Sequence, residues 1–184
     1  MQEKRYEVRL SGSGGQGIIM AAIILAEAAG VYDEKYVCQS QSYGPEARGG
    51  TSKAEVIISN QAIDYPKAIK PDLLLAMNQE ACNTYSPDLK TEGLLVVDST
   101  LVHQIPPNRT VAIPFTQIAR KDIGKEMVAN IVALGAVGVL SQAVSLKSLE
   151  KALMDRAPKG TGEINRKALR AGIEAAKKIE YQER

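Results

Sequence analysis

The stretch that decides the fold runs from Tyr6 to Ala29 and reads YEVRLSGSGGQGIIMAAIILAEAA. Apolar Tyr6, Val8 and Leu10 alternate with charged residues, which predicts a strand with two different faces. From Ile18 onward the apolar residues recur at helical spacing, and the glycine-rich segment between the two patterns predicts a tight turn. The stretch therefore predicts a strand, a glycine loop and a helix in direct succession.

The rest of the chain continues the alternation of strands and helices. Gly30 is expected to end the first helix in a left-handed conformation, and Lys35–Gln39 predicts a second strand that completes a βαβ unit. Further strands are predicted over residues 53–58, 73–77, 94–98 and 110–113, and helices over residues 125–141, 146–155 and 163–180. This order predicts a Rossmann-like, doubly wound α/β fold, with a mainly parallel sheet flanked by helices, in a single domain over residues 1–184.

Composition argues against several classes of function. The chain has 23 Lys and Arg residues against 21 Asp and Glu residues, a net charge of +2, which argues against a nucleic-acid partner. Cys38 and Cys82 are too few and too far apart to hold an iron–sulfur cluster, and no metal site is predicted. The apolar stretch Met127–Leu140 is shorter than the roughly 20 residues that span a bilayer, and the charged N-terminus lacks a secretion signal. We therefore expect a cytoplasmic protein without a membrane partner.

The segment Gly12–Gly17 carries a GxGxxG pattern between a predicted strand and a predicted helix. Glycine lets the backbone approach a ligand closely, and the N–H groups at a helix N-terminus favour a phosphate. A dinucleotide site also needs an acidic residue at the end of the second strand, whereas this strand ends in Cys38–Gln41. A competing interpretation is that the glycines only let the helix pack against the sheet. The candidate ligand-binding residues are Gly12, Gly14, Gly15, Gln16 and Gly17.

A second specialised loop, Gln41–Gly50, follows the second predicted strand. In a parallel sheet it would lie near the same edge as the glycine loop. Gly44–Pro45 fixes a turn, and Arg48 offers a planar fork of hydrogen-bond donors. The alternative is an internal bridge between Glu46 and Arg48 in an ordinary surface turn. The candidate residues here are Tyr43, Gly44, Glu46, Arg48, Gly49 and Gly50.

The pairing of Gly12–Gly17 with Tyr43–Gly50 at this spacing resembles the gamma subunit of the 2-oxoacid:ferredoxin oxidoreductases. Segment Ile63–Pro66 and the loop with Pro45–Ala47 are more similar to the 2-oxoglutarate-type members than to the pyruvate-type ones. The resemblance extends over nearly the whole chain, through Asp72, Asp98–Ser99 and Asn130–Gly135.

This resemblance implies a subunit of a larger enzyme. In the family, a 2-oxoacid is oxidatively decarboxylated on thiamine diphosphate, electrons pass through iron–sulfur clusters to ferredoxin, and an acyl-coenzyme A is released. Thiamine diphosphate, magnesium and the clusters belong to partner alpha and beta subunits, with a delta subunit as a further candidate partner. The gamma subunit is associated with coenzyme A binding and assembly, so the two loops are expected to face coenzyme A or neighbouring subunits.

Catalysis by this chain alone is not expected. His103 is the only histidine and has no nucleophile or carboxylate near it in sequence, so no catalytic residue is assigned. Asn130, inside an apolar helix, needs a hydrogen-bond partner in the core or across a subunit contact. Two other interpretations stay open: a stand-alone NAD(P)-binding oxidoreductase, and an assembly module that binds no small molecule.

Overall fold

A computed structural model describes residues 5–43 and 51–182 of the chain. The strands are β1 (Arg5–Ser13), β2 (Tyr36–Tyr43), β3 (Thr51–Ser59), β4 (Leu73–Ala76), β5 (Leu94–Asp98) and β6 (Thr110–Ile113). The helices are α1 (Ile18–Glu27), α2 (Gln79–Tyr85), α3 (Phe115–Ile118), α4 (Ala129–Ser141), α5 (Leu146–Arg156) and α6 (Gly162–Gln182). Each strand predicted from the sequence pattern is present.

The strands form one mixed sheet in the order β2-β3-β1-β4-β5-β6. Strands β1, β4, β5 and β6 run parallel to one another, whereas β3 is antiparallel to both of its neighbours, β1 and β2. The predicted mainly parallel α/β sheet flanked by helices is therefore confirmed.

Strand β2 does not lie beside β1, as a simple βαβ unit would place it. Strand β3 lies between them and pairs with both. Only residues 44–50 separate β2 from β3, and so short a connection can join antiparallel strands but not adjacent parallel ones. The βαβ unit is therefore split, although β2 still runs in the same direction as β1.

Helices α1 and α2 pack on opposite faces of the sheet. Residues of α1, α4, α5 and α6 form one apolar core with the side chains of Val8 and Leu10 on β1. Residues Ala81 and Cys82 of α2 form a smaller core with the opposite face of β4 and β5, which includes Leu74. Strands β4 and β5 are consequently buried on both faces, as their continuous apolar sequences predict.

Helices α4 and α6 cross so closely that their backbones touch. A Cβ atom added at Gly172 would lie 1.8 Å from the carbonyl oxygen of Val132, and one added at Gly135 would lie 2.2 Å from that of Leu169. These positions must be glycine because backbone atoms, rather than movable side chains, fill the space. The contact brings the C-terminal helix against the helix that reaches the glycine loop.

The expected end of the first helix at Gly30 is wrong. The helical path continues beyond Glu27 as a wider turn over Ala28–Tyr32, and Gly30 has no positive φ. The left-handed residue is Glu34, at φ 53°, and the Lys35 N–H then donates to the Ala29 carbonyl at 2.9 Å. This bond closes the widened last turn, and glutamate takes the left-handed position in which glycine is usual at the end of a helix. In the described parts of the chain, no helix is long and apolar enough to cross a membrane.

Candidate functional site

The glycine loop connects the C-terminal end of β1 to the N-terminus of α1, as predicted. Gly15 and Gly17 adopt left-handed conformations, with φ of 91° and 71°. Gly17 occupies the N-cap position of α1, and the Ala21 N–H donates to its carbonyl at 3.1 Å. Because the first N–H groups of a helix have no partner within it, the loop lies beside donors that can receive an anion.

Two glycines of the loop are required by packing within the chain itself. A Cβ atom at Gly12 would lie 2.5 Å from Gln16 Oε1 and 3.2 Å from Met77 Cβ. A Cβ atom at Gly17 would lie 2.4 Å from Asn130 Nδ2, in addition to the positive φ. The interpretation that glycines serve helix packing therefore applies to Gly12 and Gly17.

The other two glycines face open space. Gly14 and Gly15 are exposed, and a Cβ atom at either would meet no described atom within 4 Å. The positive φ of Gly15 accounts for glycine there, but Gly14 has no such requirement. Nothing among the described residues explains the small residue at Gly14, which is what a site of close external approach would look like.

The side chain of Gln16 stabilises the loop through two hydrogen bonds within the chain. Its Oε1 atom accepts a hydrogen bond from the Ser13 N–H at 2.7 Å, and its Nε2 donates to the Met77 carbonyl at 3.3 Å. The side chain therefore ties the glycine loop to the end of β4. The other candidate residues in this loop are glycines. Gln16 is therefore the candidate with a side chain, and that side chain is already hydrogen-bonded within the chain.

The glycine loop lies at the topological switch point of the sheet, where consecutive connections leave on opposite faces. The chain leaves β1 toward α1 on one face of the sheet and leaves the neighbouring strand β4 toward α2 on the other face. In open α/β sheets, ligands bind at such a point. Gln79 also lies here, and its Oε1 accepts from the N–H groups of His103 and Gln104, both at 2.9 Å. His103 is exposed in the loop after β5.

Helix α2 was not predicted from the sequence, although a signal for it exists. Asn78 follows the buried strand β4 after one residue, Met77, and its side chain accepts from the Ala81 N–H at 2.8 Å. Asparagine at this position is a typical N-cap. The helix is only seven residues long, from Gln79 to Tyr85, so its apolar pattern is too short to stand out.

The second predicted loop lies largely outside the described residues. Gly44, Glu46, Arg48, Gly49 and Gly50 all fall there, and the side chain of Tyr43 is not described either.

The two ends of that loop are nevertheless placed. Tyr43 pairs with Ser52, and Ser52 pairs in turn with Gly12 on β1. The hydroxyl of Ser52, which is 6% exposed, donates to the Gly12 carbonyl at 3.3 Å. Both flanks of the second loop therefore lie at the same edge of the sheet as the glycine loop. This is the edge at which the sequence pattern predicts the second loop.

Buried charges lie beneath the ends of the second loop. Arg9 is 2% exposed, and its guanidinium donates to Glu55 at 2.9 Å and to Asp88 at 2.5 Å. The ring of Tyr85 covers this guanidinium at 5.6 Å, and the Tyr85 hydroxyl lies 3.3 Å from Thr51 Oγ1. The alternating pattern of β1 puts Arg9 on the face opposite Val8 and Leu10 without showing whether that face is buried. The partners that bury it lie far away in sequence, so no local signal marks the cluster.

The two aspartates that carry part of the family resemblance hold the fold together. Asp72 accepts from the Glu7 N–H at 2.7 Å and pairs with Lys90. Asp98 is fully buried and accepts from the N–H and hydroxyl of Thr116, at 3.1 and 2.5 Å. Both carboxylates are therefore engaged with neighbouring groups of the chain.

The expectation that Asn130 finds a hydrogen-bond partner is confirmed. Its Nδ2 donates to the Gly17 carbonyl at 3.0 Å, so α4 is fastened to the glycine loop.

Cys38 lies on β2 and Cys82 in α2, and burial raises the pKa of the Cys82 thiol, which disfavours the thiolate form. Within residues 5–43 and 51–182, no three metal-ligating side chains come together.

Comparison with known proteins identifies the chain's relatives. Residues 7–175 match the family described as pyruvate ferredoxin/flavodoxin oxidoreductase. The 2-oxoglutarate synthase subunit KorC of Methanocaldococcus jannaschii is 51% identical over 179 residues, which cover 95% of this chain and 96% of the relative.

Solved structures give the same grouping. The gamma subunit of a keto/oxoacid ferredoxin oxidoreductase from Geobacter sulfurreducens has a TM-score of 0.87 at 52% identity, with 94% of this chain and 96% of that one covered. The 2-oxoglutarate:ferredoxin oxidoreductase of Magnetococcus marinus, whose structure contains 2-oxoglutarate, coenzyme A and succinyl-CoA, has a TM-score of 0.82 at 26% identity, with 96% of this chain and 32% of that one covered. This chain therefore belongs to the pyruvate ferredoxin/flavodoxin oxidoreductase family, as a gamma-type chain of the 2-oxoacid:ferredoxin oxidoreductases.

Proposed function

We propose that this chain is the gamma subunit of a 2-oxoglutarate:ferredoxin oxidoreductase and that its glycine loop contributes to coenzyme A binding. The observation that carries the substrate assignment is the 51% identity to the KorC subunit of a 2-oxoglutarate synthase, over nearly the whole of both chains. Similarity to the common gamma subunit of the Pyrococcus furiosus pyruvate and ketoisovalerate enzymes is weaker, at 32%. The complex converts 2-oxoglutarate and coenzyme A to succinyl-CoA and carbon dioxide, with electrons passed to ferredoxin.

The proposal for coenzyme A rests on the exposed half of the glycine loop. Gly14 and Gly15 present backbone without side chains beyond the ends of the adjacent strands β1 and β4, next to the N-terminus of α1. Phosphate groups are well matched to such a position, because backbone N–H groups and the helix dipole both favour negative charge. The related Magnetococcus marinus enzyme has coenzyme A bound in its structure.

The second loop would supply the remaining contacts. Tyr43, Gly44, Glu46, Arg48, Gly49 and Gly50 are proposed as its ligand-facing residues. Arg48 has a fork of donors that suits a phosphate, and the loop's flanks at Tyr43 and Thr51 bring it to the edge occupied by Gly12.

The chemistry itself is assigned to other chains of the complex. We place thiamine diphosphate, magnesium and the iron–sulfur clusters on the alpha and beta subunits, and on a delta subunit where one is present. We assign no catalytic residue to this chain, which would act as one domain because its sheet and α6 share a continuous core.

A stand-alone dinucleotide-dependent oxidoreductase is the second candidate, favoured by the GxGxxG pattern at Gly12–Gly17. The sheet order weighs against it. A ribose-binding acid stands at the end of the strand next to β1, but here antiparallel β3 occupies that place and β2 ends in Gln41–Tyr43. Tight binding of NAD(H) or NADP(H) by the isolated chain in calorimetry would revive this candidate.

The proposed function is tested with the co-expressed complex. Purified through a tag on this chain, the complex is assayed with 2-oxoglutarate, pyruvate and 3-methyl-2-oxobutanoate, in the presence of coenzyme A and a viologen dye. We expect kcat/KM for 2-oxoglutarate to exceed that for either other acid by about tenfold or more. Preference for pyruvate or for the branched acid would contradict the substrate assignment, and recovery of this chain without partner subunits would contradict the subunit role.

A further inference from the structure

An apolar groove lies on the helical side of the molecule, where residues of the main core form part of its lining. It runs between α1 and the start of α4 and is closed by the turn that joins α5 to α6. Its volume is about 210 Å³. The apolar side chains that line it include Met20, Ile24, Met127, Val128, Ile131 and Leu153.

Two methionines stand exposed at this groove. Met127 is 80% exposed and belongs to the short helical turn Glu126–Val128 that leads into α4, while Met20 on α1 is 43% exposed. Methionine is flexible and polarizable, and exposed methionines around an apolar depression are typical of surfaces that receive another protein. This pair is therefore better explained by an external contact than by packing within the chain.

The size of the groove favours a side chain over a small ligand. Pockets that enclose a complete small molecule generally measure roughly 300–1,000 Å³. The 210 Å³ of this groove falls below that range, yet it suffices for a single large apolar side chain. Interfaces commonly depend on a few such anchors that fill well-packed depressions.

The charges around the groove are cationic. Lys125 and Arg156 both line it, whereas no carboxylate is among its described lining residues. Arg156 is already neutralised by Glu27, to which its guanidinium donates at 2.7 and 2.8 Å. Lys125 is exposed and makes no ion pair with any residue that the structure describes. A carboxylate on the incoming segment would form an ion pair with Lys125.

We propose that the groove receives an apolar anchor side chain from another subunit of the oxidoreductase, on a segment whose neighbouring carboxylate pairs with Lys125. This inference rests on the proposed function, because it requires that other subunits exist. The Methanothermobacter thermautotrophicus ketoisovalerate oxidoreductase subunit VorA and the Magnetococcus marinus chain carry the matching domain as 36% and 32% of a longer polypeptide. In these two relatives the domain is joined to further polypeptide, which favours contact surfaces on it for other parts of the oxidoreductase.

The first test is a photo-crosslink from position 127 in the co-expressed complex. The crosslinking amino acid p-benzoylphenylalanine replaces Met127, and the control places it at Val31, which is 65% exposed and does not line the groove. We expect position 127 to crosslink to a partner subunit, on a peptide with an Asp or Glu close to the attached residue. A crosslink only to a second copy of this chain, a peptide without a carboxylate, or no crosslink would overturn the proposal.

The second test measures assembly of the same complex after Met127→Glu. Because Met127 is 80% exposed, the substitution should leave folding intact. We expect about tenfold less partner recovered per tagged chain, about threefold less for Lys125→Glu, and less than about twofold change for the control Val31→Glu. Wild-type recovery by Met127→Glu would overturn the groove proposal while the proposed function stood, because the wild-type chain would still recover its partners. If the wild-type chain recovered none, both proposals would fall.

Discussion

Glycines occur both at the crossing of α4 and α6 and in the exposed part of the glycine loop, Gly14–Gly15, which is called the crown here, but the two regions differ in what surrounds them. At the crossing, backbone atoms of the opposite helix fill the space next to Gly135 and Gly172. At the crown, Gly14 and Gly15 have no described atom within 4 Å of a Cβ position. Glycine at the crossing is required by packing, whereas at the crown the space beside Gly14 and Gly15 is open among the described residues, and only Gly15 has a positive φ.

The largest effect is expected at the crossing. In Gly172→Ala, the new methyl group would overlap the Val132 carbonyl and force α6 away from α4. We expect this overpacking to lower the free energy of unfolding by about 3 kcal/mol or more. Urea denaturation of the purified chain measures it. An unchanged urea midpoint would show that α4 and α6 can move apart without loss of stability. Packing at the crossing would then not require glycine at position 172.

Gly17→Ala tests a glycine within the loop that is required by packing. The positive φ and the contact with Asn130 Nδ2 should together lower the free energy of unfolding by about 2 kcal/mol. In an Asn130→Ala background the overlap disappears, so we expect the cost of Gly17→Ala to fall by about 1 kcal/mol. An equal cost in both backgrounds would mean that Asn130 does not set the requirement for glycine.

Local sequence pattern is sufficient for the part of the fold around the glycine loop. The alternation in β1 and the helical spacing from Ile18 act within a few residues, so strand, loop and helix can be read directly from them. The continuous apolar runs of β4 and β5 likewise predict burial on both faces.

Features that depend on distant partners could not be predicted in this way. The burial of Arg9 requires Glu55 and Asp88, and the need for glycine at position 172 requires the carbonyl of Val132. The interposed β3 follows from the short connection after β2, which a prediction based on alternating strands and helices overlooks. Gly30 was assigned by residue type alone, whereas Glu34 takes the left-handed position.

A matched pair of glycines separates strain from ligand contact. Gly15 and Gly124 have φ of 91° and 83°, and neither has a described atom near its Cβ position. Alanine at either should lower the free energy of unfolding by about 1 kcal/mol, because the backbone strain is the same. Only Gly15→Ala should raise the KM for coenzyme A in the assembled complex, by about tenfold. A similar rise in Gly124→Ala would trace the effect to strain.

Gly14→Ala provides the most direct test of a role for this loop in coenzyme A binding. The methyl group would meet no described atom within 4 Å and requires no positive φ, so the fold and the assembly of the complex should be unaffected. The dissociation constant of coenzyme A is measured by calorimetry on the intact wild-type and variant complexes. We predict that it rises about tenfold in the variant, because the new side chain occupies the place of the ligand. An unchanged dissociation constant in a fully assembled variant complex would contradict the account.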